Sequence, residues 1–392
     1  MSMRPTPYRL LWLMSVAMPL AFATWQTLLN NFVVDRAAFD GADIGLLQSV
    51  REVPGFLAFT VVWVLMFMRE QTLALVSLFL LGLGVAVTGL FPSQGGLLLT
   101  TFIMSTGFHY FETVKNSLAL QWLSKDEAPE KLGRLLSAGS LASLTVYALM
   151  WGLSDLAHLD YAVLYAVGGG LCLVITLYAL WRFPSFAQPH TQHRKLILRR
   201  RYSLYYALTF MAGARRQIFI VFAGFLMVEK FGFSVAEIAL LFMINHVFNL
   251  LFAPRIGAMI GRIGERRALF IEYTGLVAIF VGYALVEDVG WAATLYVADH
   301  LFFALSIAIK TYFQKIADPK DMAATSGVAF TINHIAAVVI PVLFGLIWLS
   351  EPAWVFLSGA IMAGVSLGLS ALIPSQPAPG REWRLAGTAA AD

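Results

Sequence analysis

The sequence predicts an all-α polytopic membrane protein, with twelve transmembrane helices in two pseudo-symmetric six-helix bundles, and three observations lead there. Of 392 residues, 59% are hydrophobic and only 13% charged, whereas a soluble domain is roughly half apolar and about a quarter charged. Apolar runs of about 20 residues, the length that crosses a hydrocarbon core roughly 30 Å thick, follow one another almost from end to end. The runs also come as one set, a polar stretch and a second set, with matching residues in the two.

Taken in order, the first six runs lie near 10–34, 42–67, 71–91, 96–123, 132–155 and 160–182, each bounded by polar breaks. The polar stretch Arg182 to Arg201 follows, and then come runs near 202–229, 234–258, 267–287, 290–317, 321–350 and 352–374. This divides the chain into a first bundle (1–182), a basic cytoplasmic loop (183–201), a second bundle (202–375) and a cytoplasmic tail (376–392). The start, Met1 to Arg9, is short and basic, but no small-residue cleavage site closes the apolar run after it, so the first helix is expected to stay uncleaved.

Orientation follows from the short loops, because Lys and Arg are retained on the cytoplasmic side. Arg4 and Arg9, Arg69, Lys125 with Lys131 and Arg134, the run Arg194 to Arg201, Arg262 with Arg266 and Arg267, and Arg381 fall in alternate loops. The opposite loops carry Asp35, Asp40, Asp43, Asp155, Asp160, Glu229, Glu237, Glu287, Asp288 and Glu351, with Arg36 and Lys230 as basic exceptions. Both termini are therefore expected in the cytoplasm, and the protein in a bacterial-type inner membrane.

Other classes are disfavoured. The net charge of +4 comes from basic residues scattered through loops, with no interleaved basic and aromatic patch for nucleic acid. A single cysteine, Cys172, rules out an intrachain disulfide and a cysteine-based zinc cluster. It lies in an apolar run, as lipid-facing or core filler. No Ser/His/Asp arrangement, phosphate-binding glycine loop or nucleotide motif stands out, so neither an enzyme nor an ATP-driven pump is expected, and no cofactor.

The two sets of runs match at a constant offset. Phe39, Ala42, Asp43, Ile44, Leu46 and Leu47 pair with Phe233, Ala236, Glu237, Ile238, Leu240 and Leu241, and the same shift pairs Tyr8 with Tyr202 and Asp35 with Glu229. Further on, His109, Phe111 and Trp122 correspond to His300, Phe302 and Phe313 at a slightly different offset. Internal repeats of this kind build many transporters.

Six plus six helices, parallel repeats and a basic central loop are the plan of the major facilitator superfamily, which this chain resembles from about Tyr8 to Ser375. The loop after the eighth run adds a motif. The family carries Gly-x-x-x-Asp-Arg-x-Gly-Arg-Arg there, and Gly257, Gly261, Arg262, Gly264, Arg266 and Arg267 are similar to it, with Gly261 where the family has Asp. The resemblance implies a gating role for this loop, and a monomer in which two bundles rock around a midplane site. It also implies that runs 1, 4, 7 and 10 line a central cavity, with 2, 5, 8 and 11 beside them.

The intramembrane polar residues follow that distribution. A charge at mid-bilayer is costly and by default faces a protein-lined cavity. In the fourth run His109, Glu112 and Asn116 recur at i, i+3 and i+7 on one helical face, with Lys115 beside them. The tenth run offers Asp299, His300, Ser306 and Lys310, and the repeat makes it the counterpart of the fourth, so the two histidines are expected to face one cavity. The seventh carries Arg215, Arg216 and Gln217 about 13 residues in, roughly 20 Å along the helix and too deep for both arginines to snorkel. The second has Arg51 and Glu52, the eighth Asn245, His246 and Asn249, and the eleventh Thr331, Asn333 and His334. Runs 3, 6, 9 and 12 are nearly bare; Glu272 in the ninth is expected to pair with Arg266 or Arg267 near the cytoplasmic end.

Guanidinium and ammonium groups in a dry cavity favour a carboxylate or phosphate ligand. The reading is a secondary transporter that moves a small anionic metabolite with protons. Arg51, Lys115, Arg215, Arg216, Gln217, Asn245, His300 and His334 are its substrate-binding candidates, and Glu52, His109, Glu112 and Asp299 its proton-coupling candidates. The bland alternative is that these arginines only pair with Glu52, Glu112 or Asp299 and hold helices together. Four histidines beside acids also suggest metal ligation, but the arginines would repel a cation, and no metal is assigned. Proton-antiport efflux of drugs and a non-transporting receptor stay open, although Ala138 to Gly152 lacks the proline of the efflux-type motif in the fifth helix. Trp25, Tyr110, Phe219, Phe248 and Phe303 serve either as an apolar substrate wall or as packing.

Overall fold

In the computed structural model, residues 5–123, 128–187, 198–318 and 322–384 are described. Arg4, Lys125, Arg194 and Lys195 of the run Arg194 to Arg201, and the end of the tail, residues 385–392, lie outside them. The described chain is all-helical. Helices α1 (Pro7–Ala37), α2 (Gly41–Phe56), α3 (Val61–Val64), α4 (Glu70–Thr88), α5 (Gln94–Trp122), α6 (Ala128–Asp155) and α7 (Tyr161–Arg182) make up the first part. They are followed by α8 (Ser203–Gln217), α9 (Gly224–Glu229), α10 (Val235–Ile263), α11 (Glu265–Leu285), α12 (Val289–Phe303), α13 (Ile307–Ile316), α14 (Met322–Trp348) and α15 (Pro352–Ala371).

Local chemistry sets the ends. The Thr6 side chain accepts from the Arg9 N–H with Pro7 at the first helical position, Ser93 caps α5 by accepting from Gly96 N–H, and Asp288 caps α12 by accepting from Trp291 N–H at 2.9 Å. Between α10 and α11 the chain turns at Gly264, whose φ of +83° only glycine adopts without strain.

Among the described residues, nine stretches are long and apolar enough to cross a membrane. The helical stretches outside that set are α2 with α3, α5 and α10, which carry Arg51 and Glu52, His109 with Glu112 and Lys115, and Asn245 with His246; α10 still contributes the shorter apolar stretch Val235–Phe248.

Three expected continuous helices are interrupted. The second run has Pro54, which cannot donate to the carbonyl of Val50, and the chain tightens to a 3₁₀ turn at Leu57–Thr60. The seventh passes through a π-helical segment, Ile218–Ala223, directly after Arg215, Arg216 and Gln217. The tenth has a 3₁₀ turn at Ala304–Ser306, near the middle of its length. Such irregularities inside helices mark functional positions more often than chance allows.

The chain forms two compact units, one of Met1–Phe39, Val50–Gln192 and Gly232–Met243, the other of Asp40–Ser49, His193–Phe231 and Ile244–Asp392. The two segments that cross over, Asp40–Ser49 and Gly232–Met243, are those that the repeat aligns through Ala42 to Leu47 and Ala236 to Leu241. Asp40–Ser49 packs at close range on α14: a Cβ on Gly45 would stand 2.3 Å from the Pro341 carbonyl oxygen. Small residues at such crossings let backbones approach where no hydrophobic force drives helices together. In the other unit Asn31 Nδ2 donates to the Phe233 carbonyl at 2.6 Å. The first unit is packed around Trp25, Phe32, Phe111 and Tyr165, the second around Tyr202, Phe222, Tyr273 and Phe280. Large apolar side chains such as Phe67, Leu136, Val174 and Trp181 are exposed, the pattern of a surface solvated by lipid. Cys172 is buried, its thiol directed at the Leu78 carbonyl, so it is core filler.

Candidate functional site

In the first unit the polar residues group around the start of the α2 distortion. Arg51 and Glu52 are both buried and ion-paired with each other. Ser105 on α5 donates to the Arg51 carbonyl, and the guanidinium lies 5.9 Å from the centre of the Trp25 ring on α1. Beyond the distortion, the Thr60 and Tyr110 hydroxyls are 2.5 Å apart, tying the 3₁₀ turn to α5. His109 is buried, edge-on to Phe108, which stacks on Phe22 of α1 with centroids 4.3 Å apart. Farther along α5, Glu112 pairs with Lys115, and Asn116 is exposed. The stripe read from the sequence thus runs from a buried histidine to an exposed amide.

In the second unit two adjacent arginines part company. Arg215 is 3% exposed, stacks its guanidinium 4.4 Å from the centre of the Tyr273 ring, and holds Nη2 3.8 Å from Glu272 Oε1, beyond hydrogen-bond distance. Asp299 on α12 is buried in the same electrostatic neighbourhood. Arg216, one residue on, is exposed, and with His246 of α10 it acts electrostatically on the half-buried His300. Neighbouring residues on a helix point about 100° apart, so one strand of sequence supplies two sites. Gln217 and Asn245 are buried with their side-chain carbonyl oxygens unpartnered among the described residues. His334 on α14 sets Nδ1 2.9 Å from the Phe330 carbonyl oxygen. His109 belongs to the first unit and His300 to the second.

Glu272 corrects an expectation. It does not pair with Arg266 or Arg267 near the helix start but is fully buried and faces Arg215. The physical reason is helical spacing, since residues five and six apart lie on different faces and only i±3 and i±4 neighbours meet. Arg266 instead lies 5.6 Å from the Phe270 ring centre, four residues on. An acid about 10 Å into an apolar helix was the available signal. Tyr273, against the Arg215 guanidinium, and Tyr283, in the electrostatic neighbourhood of Asp299, carried no signal of their own.

In the loop motif, Gly257 and Gly261 face open space, Arg262 and Arg267 are exposed, and Gly264 makes the turn. Glu265, beside it, is buried and ion-paired at 2.6 Å with Lys315 of α13, so an acid four residues after Gly261 anchors the loop to the end of α13.

The chain matches the Major Facilitator Superfamily over residues 11–341. It belongs to that family, and it is a multi-pass membrane transporter of a small molecule rather than an enzyme. Among solved structures, it is similar to the nucleoside transporter NupG in a mutant form, with a TM-score of 0.76 at 15% identity over 93% of this chain and 98% of that one. A bacterial homolog of the human lysosomal transporter Spinster, in an inward-facing and occupied conformation, gives 0.73 at 11% identity over 93% and 95%. A POT family transporter in complex with 5-aminolevulinic acid gives 0.72 at 14% identity over 94% and 95%. No curated protein matches the chain by sequence.

Proposed function

We propose that the protein is a proton-coupled carrier of a small anionic metabolite, working by alternating access. The observation that carries this is Arg216, exposed midway along the spanning stretch Arg200–Glu229 yet grouped with His246 and His300. An arginine at that depth is tolerated where it meets water rather than lipid, and a guanidinium beside two imidazoles is a ready receptor for carboxylate or phosphate. Gln217, Asn245 and His334 add polar contacts in the same unit. Arg51 and Lys115, each against its own carboxylate, serve this reading less as ligands than as partners that keep Glu52 and Glu112 in place. Domains 1–182 and 202–375 act as the two moving halves, the motif from Gly257 to Arg267 gates between them, and the protein works as a monomer in an inner membrane with both termini in the cytoplasm.

The test is a thermal-shift panel of the purified protein with carboxylate and phosphate metabolites, neutral sugars and nucleosides, and lipophilic cations. A ligand that binds the folded state raises its apparent melting temperature. Stabilisation confined to one or more anions is the expected result; stabilisation only by lipophilic cations would replace the reading with efflux.

A further inference from the structure

We propose that Glu272 and Asp299, both set against Arg215, form a single-proton site in which one of the two carboxylates carries a proton, built back to back with the basic patch of Arg216 and His300. This rests on the reading of the protein as proton-coupled and names where the coupling proton resides.

Arg215, Glu272 and Asp299 are 3%, 0% and 2% exposed. Two carboxylates against one guanidinium leave one negative charge uncompensated, and an uncompensated ion in a dry membrane interior is strongly disfavoured. One proton removes it. The polar atoms point the same way: both carboxylate oxygens of Glu272, Oδ1 of Asp299, Nη1 of Arg215 and the hydroxyls of Tyr273 and Tyr283 are buried without a hydrogen-bond partner among the described residues. Orphaned donors and acceptors of this kind call for an occupant that the protein's own groups do not supply, and a proton on one carboxylate turns an acceptor into a donor.

The groups that face the pair are few. From α8 comes Arg215, from α11 Tyr273 and Tyr283, and from α12 Tyr296 beside Asp299 itself. Helix α15, which packs along α11, has no ionisable Asp, Glu, Lys, Arg or His in its whole length, Pro352–Ala371. On α13, Lys315 is engaged by Glu265 and Lys310 is exposed. On α14, His334 is turned to the Phe330 carbonyl. Arg215 is thus the one cation placed to balance the pair among these residues.

The placement supplies the coupling. Arg215 and Arg216 are consecutive on α8, and Asp299 and His300 are consecutive on α12; in each pair the first residue is buried in the acidic cluster and the second belongs to the basic patch. Both helices lose regularity just beyond these residues, at Ile218–Ala223 and Ala304–Ser306. Binding the proton cancels the pair's excess negative charge and loosens its hold on Arg215; losing it tightens that hold. Either change acts on the backbone that carries Arg216 and His300. The proton is taken up by a carboxylate oxygen and leaves from it, with no other bond made or broken.

The test is infrared spectroscopy of the full-length protein in lipid, following the C=O stretch of protonated carboxyl groups between wild type and variants. Glu272→Gln and Asp299→Asn each leave one acid with one guanidinium, a balanced pair that needs no proton, so each is expected to lose the same band. Arg215→Gln leaves two acids and is expected to enlarge it. A band of equal size in wild type and in both acid variants overturns the proposal. So does a wild type without the band whose melting temperature rises in sodium chloride relative to choline chloride, since the site would then hold a monovalent metal cation. Should a variant not fold, the wild-type spectrum at neutral pH decides alone, because the site requires the band there. The band reports the proton without any substrate: its presence with no response to anions would leave this site standing and sink the anion reading, and the reverse result would do the opposite.

Discussion

Arg215→Gln is expected to destabilise the folded protein by about 3–5 kcal/mol, the scale of breaking a buried ion pair on one side. The guanidinium is almost wholly buried, its flat face rests on Tyr273, and it is the cation set against Glu272 and Asp299. Removing it strands two acids in a low-dielectric interior and deletes the stacking contact at once. The loss is read as a fall in apparent melting temperature of the purified protein. The triple variant Arg215→Gln, Glu272→Gln, Asp299→Asn is expected to recover much of that fall, since it removes the two buried acids as well. A triple variant no more stable than the single one would mean that Arg215 acts through packing on Tyr273 alone. Arg215→Lys keeps the charge but not the planar stack, and is expected to fall between wild type and Arg215→Gln.

Arg216→Gln is expected to leave stability nearly unchanged and to remove the response to anions. Its side chain is exposed, so folding depends on it little. A charge-assisted hydrogen bond to a ligand is worth about 1.5–3 kcal/mol, which corresponds to roughly 10- to 150-fold weaker apparent binding. The measurement is a titration of the stabilising anion against wild type and variant, following melting temperature. An unchanged titration would assign Arg216 to another task and return the ligand role to Arg215 or Arg51.

Much of this molecule was legible in its sequence. Apolar run lengths placed the helices to within a few residues, because a span of fixed thickness dictates them. The repeat, read from Phe39 to Leu47 and Phe233 to Leu241, fell on the two segments that cross over between the compact units, where each must fit surroundings built by the other half. His109, Glu112, Arg51, Arg215 and Asp299 stood out through the cost of charge in a membrane. Other features were hidden because they depend on which helix faces which. Period alone puts Arg215 and Arg216 about 100° apart but does not say which direction is inward. Glu272 looked like a partner of the loop arginines until α11 was seen to turn it towards α8. The π-helical segment at Ile218–Ala223 has no proline to announce it, unlike the break after Pro54.

The central claim is that an anion and a proton move together, and purified protein in liposomes loaded with a pH-sensitive dye tests it most directly. A stabilising carboxylate or phosphate metabolite, added outside at equal internal and external pH, is predicted to change the internal pH in wild type and to do so far less in Arg216→Gln and Glu272→Gln. If anions leave the internal pH untouched while neutral or cationic compounds change it, the account is contradicted.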